Sequence, residues 1–349
     1  MTITFPQFIS NLDSPAFLVT VILTLGVIFV NGWIDAPNAI ATCISTRCLS
    51  AKTAVAVAAI SNFAGVFVMS SVNATVAETI YNMVDFGGDR DQALISLCAA
   101  MVAIVTWAFA AWLFSIPTSE SDSLIAGLTG AAIAVQGGIS GINFAEWQKV
   151  LYGLVLSITL GFLVGWITVN GINLICRSMD RRKTQKFFKG GQIGSAAAMA
   201  FMHGAQDGQK FMGVFLLGAF LAQGEANVTT FQIPIWLMLV CSALMALGTS
   251  IGGYRTIKSI GMKIVKLEKY QGFSADLAAS ACLFGFSIFG IPVSTTQTKS
   301  VAIMGVGAAK RISNVNWAHV KRMILTWALT FPGCGIIGFC MAKIFLQIV

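Results

Sequence analysis

Charge is what this sequence has least of. Asp, Glu, Lys and Arg together make up 10% of the 349 residues, whereas a typical soluble domain carries about 25%. Histidine appears only as His203 and His319; no HExxH or GxxxxGK[ST] occurs, and the GxSxG at 248–252 and GxGxxG at 333–338 lie inside apolar segments, without the strand-to-helix context their chemistry needs. The eight cysteines include no CxxC pair, and most lie in apolar segments. They read as small core residues rather than metal ligands or bridges. No stretch is long and polar enough to form a separate soluble domain. These gaps exclude a disordered chain, a secreted disulfide scaffold and a cytosolic enzyme of ordinary composition.

What is present is apolar: 56% of residues are hydrophobic and the mean hydropathy is +0.80. Apolar segments at 16–46, 52–72, 92–115, 117–138, 147–176, 191–222, 231–252, 273–290, 292–308 and 317–346 approach or exceed the roughly 20 residues that cross a bilayer as helix. The expected fold is an all-α polytopic membrane protein of about ten to twelve membrane elements, multi-pass in the plasma membrane. Met1–Thr20 lacks the basic start of a cleaved signal, so the first span is expected to stay in the mature protein. The 34 glycines fit close packing of membrane helices.

The net charge of +8 comes from short basic runs between the apolar segments, which argues against nucleic-acid binding. Arg177, Arg181, Arg182, Lys183, Lys186 and Lys189 form one run; Arg255, Lys258, Lys263, Lys266 and Lys269 form another. Lys310, Arg311, Lys321 and Arg322 make a third, with a smaller pair at Arg47 and Lys52. The 73–91 connection is acidic instead. Placing every basic run in the cytoplasm puts the N-terminus outside. Each half then crosses an odd number of times, so two inverted-topology repeats are expected. The first would span 1–176 and the second 191–349, joined by a basic cytoplasmic linker at 177–190.

The halves also match in sequence. Asn31-Gly32-Trp33-Ile34-Asp35-Ala36-Pro37-Asn38 aligns with His203-Gly204-Ala205-Gln206-Asp207-Gly208-Gln209-Lys210. Ile116-Pro117-Thr118-Ser119-Glu120-Ser121 aligns with Ile291-Pro292-Val293-Ser294-Thr295-Thr296, and Trp147-Gln148-Lys149-Val150 with Trp317-Ala318-His319-Val320. The three matches keep the same order and nearly the same spacing.

Ionisable residues inside hydrocarbon point to function. Those singled out are Asp35, Glu120, Asp122, Asp207, Lys210 and Lys299. Around Asp35, Pro37 cannot join the helix ladder and Gly32 weakens it, so a broken helix is expected. Its carbonyls, the Asp35 carboxylate and the Asn31 and Asn38 amides would suit a hard cation such as Na⁺, with Asp35 and Asn38 as ligands. The plainer alternative is a kinked helix capped by Asp35. In the second copy, Lys210 stands where the first has Asn38. Either its ammonium takes the place of a bound cation beside Asp207, or the two form a structural pair. His203, aligned with Asn31, is a candidate to tune coupling.

The motifs at 117–121 and 292–296 are candidate anion sites, because hydroxyls and free N–H groups at a helix start suit an oxyanion. Each lies between two apolar arms that form either two spans or one re-entrant hairpin. If hairpins, they enter from opposite faces and their tips meet. Ordinary helix caps are the alternative. Glu120, if protonated, could donate to the anion and couple proton entry.

Together, Asn-Gly-x-x-Asp-x-x-Asn-Ala at 31–39, His-Gly-Ala-x-Asp-Gly-Gln-Lys at 203–210 and Pro-Val-Ser-Thr-Thr at 292–296 resemble the inorganic phosphate transporter (PiT) family over nearly the whole chain. The resemblance implies an inverted-repeat carrier importing inorganic phosphate by symport with Na⁺ or H⁺, without a resident cofactor, as a homodimer. It places Asp35, Asn38 and Asp207 at the cation and phosphate centre. Thr118 with Ser119, and Ser294 with Thr295 and Thr296, would hold the phosphate. Gln206 replaces the family's usual Asn, and Asp122 and Gln297 replace a common His, which leaves the coupling ion open. Sulfate is the alternative cargo within the family. A passive anion channel, or an intramembrane hydrolase using Ser119 or Ser294, are readings of other classes.

Overall fold

The computed structural model describes residues 1–87, 89–113, 118–225, 228, 230–251 and 254–348. Ile116 and Pro117 of the first hydroxyl motif therefore lie outside the described residues. The fold is helical throughout. Among the described residues the nearest thing to a sheet is one antiparallel bridge between Val84 and Ile142.

A short α1 (Phe5–Asn11) precedes α2 (Pro15–Ile34), which begins with Pro15 at its first turn, where a missing N–H costs nothing. After Ile34 the chain tightens into a 3-10 turn at Ala36–Ile40 before resuming as α3 (Ala41–Ser45). This is the break that Pro37 was expected to cause: Asp35 N still reaches Asn31 O, but Asn38 N closes a three-residue turn on Asp35 O. Then come α4 (Ala51–Val72), α5 (Thr75–Tyr81), α6 (Arg90–Leu113), α7 (Glu120–Gln136) and α8 (Phe144–Ile175). The second half holds α9 (Arg181–Gln223), α10 (Ile235–Ile251), α11 (Tyr254–Lys263), α12 (Lys269–Ile288), α13 (Thr295–Lys310) and α14 (Trp317–Ile348).

The helix boundaries do not follow the apolar segments. The stretch from Arg181 to Lys189 is the start of α9, with the Asp180 carboxylate accepting from Arg182 N as its cap. Only a short connection therefore separates α8 from α9. The second motif, unlike the first, leaves its helix unbroken: 203–210 lies inside the continuous α9. Gln209 keeps the backbone N–H that Pro37 lacks, and a lone Gly208 weakens a helix without ending it. Of the two matched motifs, only the first interrupts its helix.

Among the described residues, five segments, Pro15–Ser45, α4, α6, α8 and α14, are long and apolar enough to cross a membrane. Of these, α8 and α14 lie at the periphery and show Leu151, Val155, Leu163, Ile324, Leu329 and Ile336 outward, as a lipid-facing surface requires. By contrast, α7 is buried from Glu120 through Leu128 and α13 from Thr295 through Gly307. They carry the polar motifs into the interior.

The packing is reciprocal. α2 lies on α10 as α9 lies on α4, and α8 on α13 as α14 on α7. Glycines make the crossings, and they fall at matched places. Gly32 abuts the Met245 carbonyl, while its motif partner Gly204 abuts that of Asn62; Gly248 meets Phe29, while Gly65 meets Phe201. On the other layer Gly165 meets Ala302 as Gly338 meets Gly127, and Gly305 meets Phe162 as Gly130 meets Gly335. At these places a Cβ would collide with a backbone carbonyl, so the helices touch backbone to backbone.

Candidate functional site

The break after α2, the middle of α9 and the first turns of α7 and α13 converge on one buried polar centre. Ser119 and Ser294 cap α7 and α13 in the same way: each Oγ accepts the N–H three residues on, from Asp122 at 3.1 Å and from Gln297 at 3.1 Å. Those caps hold residues 120–122 and 295–297 in rigid first turns. The two first turns meet, with Gln297 Nε2 donating to Asp122 Oδ2 at 2.5 Å.

On one side of the centre Asp35 Oδ1 accepts from Asn38 Nδ2 and from Thr296 Oγ1. Asn38 Nδ2 also reaches Thr296 Oγ1 at 2.6 Å. On the other side Asp207 Oδ1 accepts from Lys210 Nζ at 2.7 Å and Ser121 Oγ at 3.1 Å. Its Oδ2 takes Thr295 Oγ1 at 3.2 Å and Asn31 Nδ2 at 3.5 Å. Each aspartate is thus held by a hydroxyl from the opposite half of the chain. Carboxylate oxygens of Asp35 and Asp207 and a ring nitrogen of His203 lie within 4.8 Å of one another, all buried.

Five buried oxygens at the centre have no hydrogen-bond partner among the described residues: Asn31 Oδ1, Asn38 Oδ1, Gln297 Oε1 and both carboxyl oxygens of Glu120. Their donor chemistry, all oxygen with one or two negative charges, fits a hard cation such as Na⁺. Leaving such atoms without partners costs about 1–3 kcal/mol each, so a bound cation would relieve a real penalty.

His203 adds a directional constraint. Thr249 Oγ1 donates to Met245 O, so it must accept from Asn62 Nδ2, which turns Asn62 Oδ1 toward His203 Nδ1 at 3.1 Å. Nδ1 therefore carries a proton, and the ring turns Nε2 toward Asp207 Oδ2 at 3.3 Å. A proton or a cation between them satisfies both atoms.

Not every expected residue belongs to the centre. The Thr118 hydroxyl points away, to Trp107 Nε1 and Thr330 Oγ1, both at 3.2 Å, between α6 and α14. Gln206 braces the α12–α13 turn through Ser287 Oγ at 2.9 Å instead of entering the centre. His319 lies in the first turn of α14, away from the centre and opposite Ser259 Oγ at 3.3 Å. Lys299 has a partner that sequence reading passed over. Asp276 of α12 binds both Lys299 Nζ and, at 2.7 and 2.8 Å, Thr42 Oγ1. The signal was available: Asp276 is a lone acid among Ser and Ala in an apolar segment.

The chain matches the model of a phosphate transporter family twice, over residues 31–181 and 173–338. A Bacillus subtilis protein named "Probable low-affinity inorganic phosphate transporter" is 36% identical, over 92% of this chain and 94% of that one. A Mycobacterium bovis protein of the same name is 34% identical, over 94% and 77% respectively. Among solved structures, one titled "The sodium-dependent phosphate transporter" superposes with a TM-score of 0.87 at 20% identity, covering 96% of this chain and all of that one.

Proposed function

Because the chain belongs to the phosphate transporter family, a family of membrane carriers rather than enzymes, we propose that it imports inorganic phosphate by symport with Na⁺ or H⁺ through alternating access. The observation that carries this reading is the meeting of the α7 and α13 first turns beside Asp35 and Asp207.

The anion sits between the two helix starts. Ser119 and Ser294 close the caps, leaving the N–H groups that open each helix for phosphate oxygens; the hydroxyls of Ser121, Thr295 and Thr296, which donate to Asp207 and Asp35 in this structure, turn to the anion when it binds. Two helix N-termini aimed at one point supply partial positive charge without a mobile counter-ion. Lys210 Nζ adds a full one from the Asp207 side.

Asp35, Asp207, Glu120 and Asp122 would repel an oxyanion if all were ionised and uncompensated. Coupling follows from that repulsion. A cation at Asp35, held also by Asn31, Asn38 and Glu120, or a proton on one of these carboxyls, makes the pocket accept phosphate. Phosphate in turn makes the cation or proton bind more firmly, by the reciprocity of linked binding. The two halves, inserted in opposite senses, then expose the loaded centre to each face in turn.

The test is uptake of labelled phosphate into proteoliposomes under imposed Na⁺ or pH gradients, with sulfate as competitor. Accumulation driven by either gradient supports the reading. Flux that only equilibrates phosphate indicates a channel, and uptake of sulfate in preference to phosphate reassigns the cargo.

A further inference from the structure

The two sides of the centre are built alike except for one side chain. Asn38 touches the aspartate of its own half, Asp35, and a hydroxyl of the other half, Thr296. Lys210, at the matching place in α9, touches the aspartate of its own half, Asp207, and the matching hydroxyl of the other half, Ser121, both at 2.7 Å. Nζ takes a third oxygen, the Val293 carbonyl, at 2.6 Å. The ammonium thus sits among a carboxylate, a hydroxyl and a carbonyl oxygen, the donor set a small hard cation takes. The Asp35 side has no such group. There Asn38 Oδ1, Asn31 Oδ1 and the Glu120 oxygens stay unpartnered, while both Asp207 oxygens are engaged.

We propose that the Lys210 ammonium is a tethered counter-cation, filling on the Asp207 side the position that a transported cation takes on the Asp35 side. Lys210 thereby sets how many cations travel with each phosphate. This rests on the symport reading above.

The distinction matters energetically. A mobile cation is released on the far side and contributes its gradient to phosphate accumulation. A tethered one returns with the protein and contributes nothing over a full cycle. Replacing the tether by a side chain that cannot supply the charge re-creates a vacant oxygen cage on the Asp207 side, which a second mobile cation fills. Each added charge carried inward raises the attainable phosphate accumulation about fifty-fold at a membrane potential of about 100 mV.

The experiment compares wild type, Lys210→Asn and Lys210→Arg in proteoliposomes. The fluxes of labelled phosphate, ²²Na⁺ and H⁺ are counted in the same vesicles. Lys210→Asn, which copies the Asn38 side, is expected to move one more cation per phosphate and to show a steeper cation dependence. Lys210→Arg keeps the charge tethered and is expected to hold the wild-type ratio. If Lys210→Asn does not turn over, equilibrium counting of ²²Na⁺ and of protons taken up by the purified protein in phosphate replaces the flux ratio. One additional cation per chain is expected. An unchanged ratio or count in Lys210→Asn, beside a cation-driven wild type, overturns the tethered-cation inference alone. A wild type whose phosphate flux ignores both gradients overturns the symport reading and this inference with it.

Discussion

His203 turns Nε2 toward Asp207, 3.3 Å from Oδ2, while Asn62 Oδ1 accepts from Nδ1–H at 3.1 Å on the other side of the ring. The orientation is imposed from outside the centre by Thr249 on α10, through Asn62 on α4. Replacing Asn62 with Leu removes the acceptor and leaves a buried N–H bare, which costs about 1–3 kcal/mol. The expected outcome is a lower melting temperature together with a weaker apparent affinity for the coupling ion. The ¹⁵N spectrum of labelled His203 should lose its single Nδ1–H tautomer. Wild-type ion affinity in a variant with a mixed tautomer would refute the coupling between the two.

Asp35→Asn tests the cation side. Asparagine retains the shape of Asp35 and a carbonyl oxygen for Asn38 and Thr296, so the protein is expected to fold. Without the carboxylate, the cage loses its charge. Phosphate uptake should fall about 100-fold or more, corresponding to at least about 2.7 kcal/mol. Stabilisation of the purified protein by Na⁺ or by protonation should disappear with it.

The hydroxyls give a graded test. Thr295→Val and Ser121→Ala each remove one donor proposed to meet phosphate, and about 0.5–1.5 kcal/mol of binding. A rise in phosphate KM of about two- to ten-fold follows. Thr118→Val is the contrast, because its hydroxyl is turned toward Trp107 and Thr330. It should leave phosphate KM unchanged while lowering the melting temperature.

Asp276 and Lys299 are a buried ion pair whose removal is informative in two steps. Asp276→Leu alone strands the Lys299 ammonium with Thr42 and the Ala39 carbonyl. Breaking such a pair costs about 3–5 kcal/mol. The double variant Asp276→Leu with Lys299→Leu removes both charges and should recover most of the lost stability. Thermal melting of the two proteins in detergent decides it; equal losses would show that the pair carries no mutual dependence.

Much of this was legible beforehand, for physical reasons. Hydrophobic segments of bilayer length leave few alternatives to helices. Charges inside them are costly enough that Asp35, Asp207 and Lys210 stand out, whereas a meeting of the hydroxyl tips followed from the sequence only if their arms were re-entrant hairpins. What escaped depends on direction rather than composition. That Thr118 turns outward while Ser119 caps α7 is settled by helix phase. The continuity of α9 through 203–210 was readable from Gln209 replacing Pro37, but the parallel between the motifs concealed it. Asp276 was passed over because nothing in its own segment names a partner 23 residues away on α13.

The glycine crossings constrain how the molecule can move. Where Gly32 rests on Met245 and Gly165 on Ala302, no flexible side chain intervenes to absorb slippage. A shift of a fraction of a turn would drive a carbonyl oxygen into the next residue's Cβ. Helices clasped in this way tilt together as one block, leaving strain to collect where the chain has already relinquished its regular ladder, at the turn around Pro37.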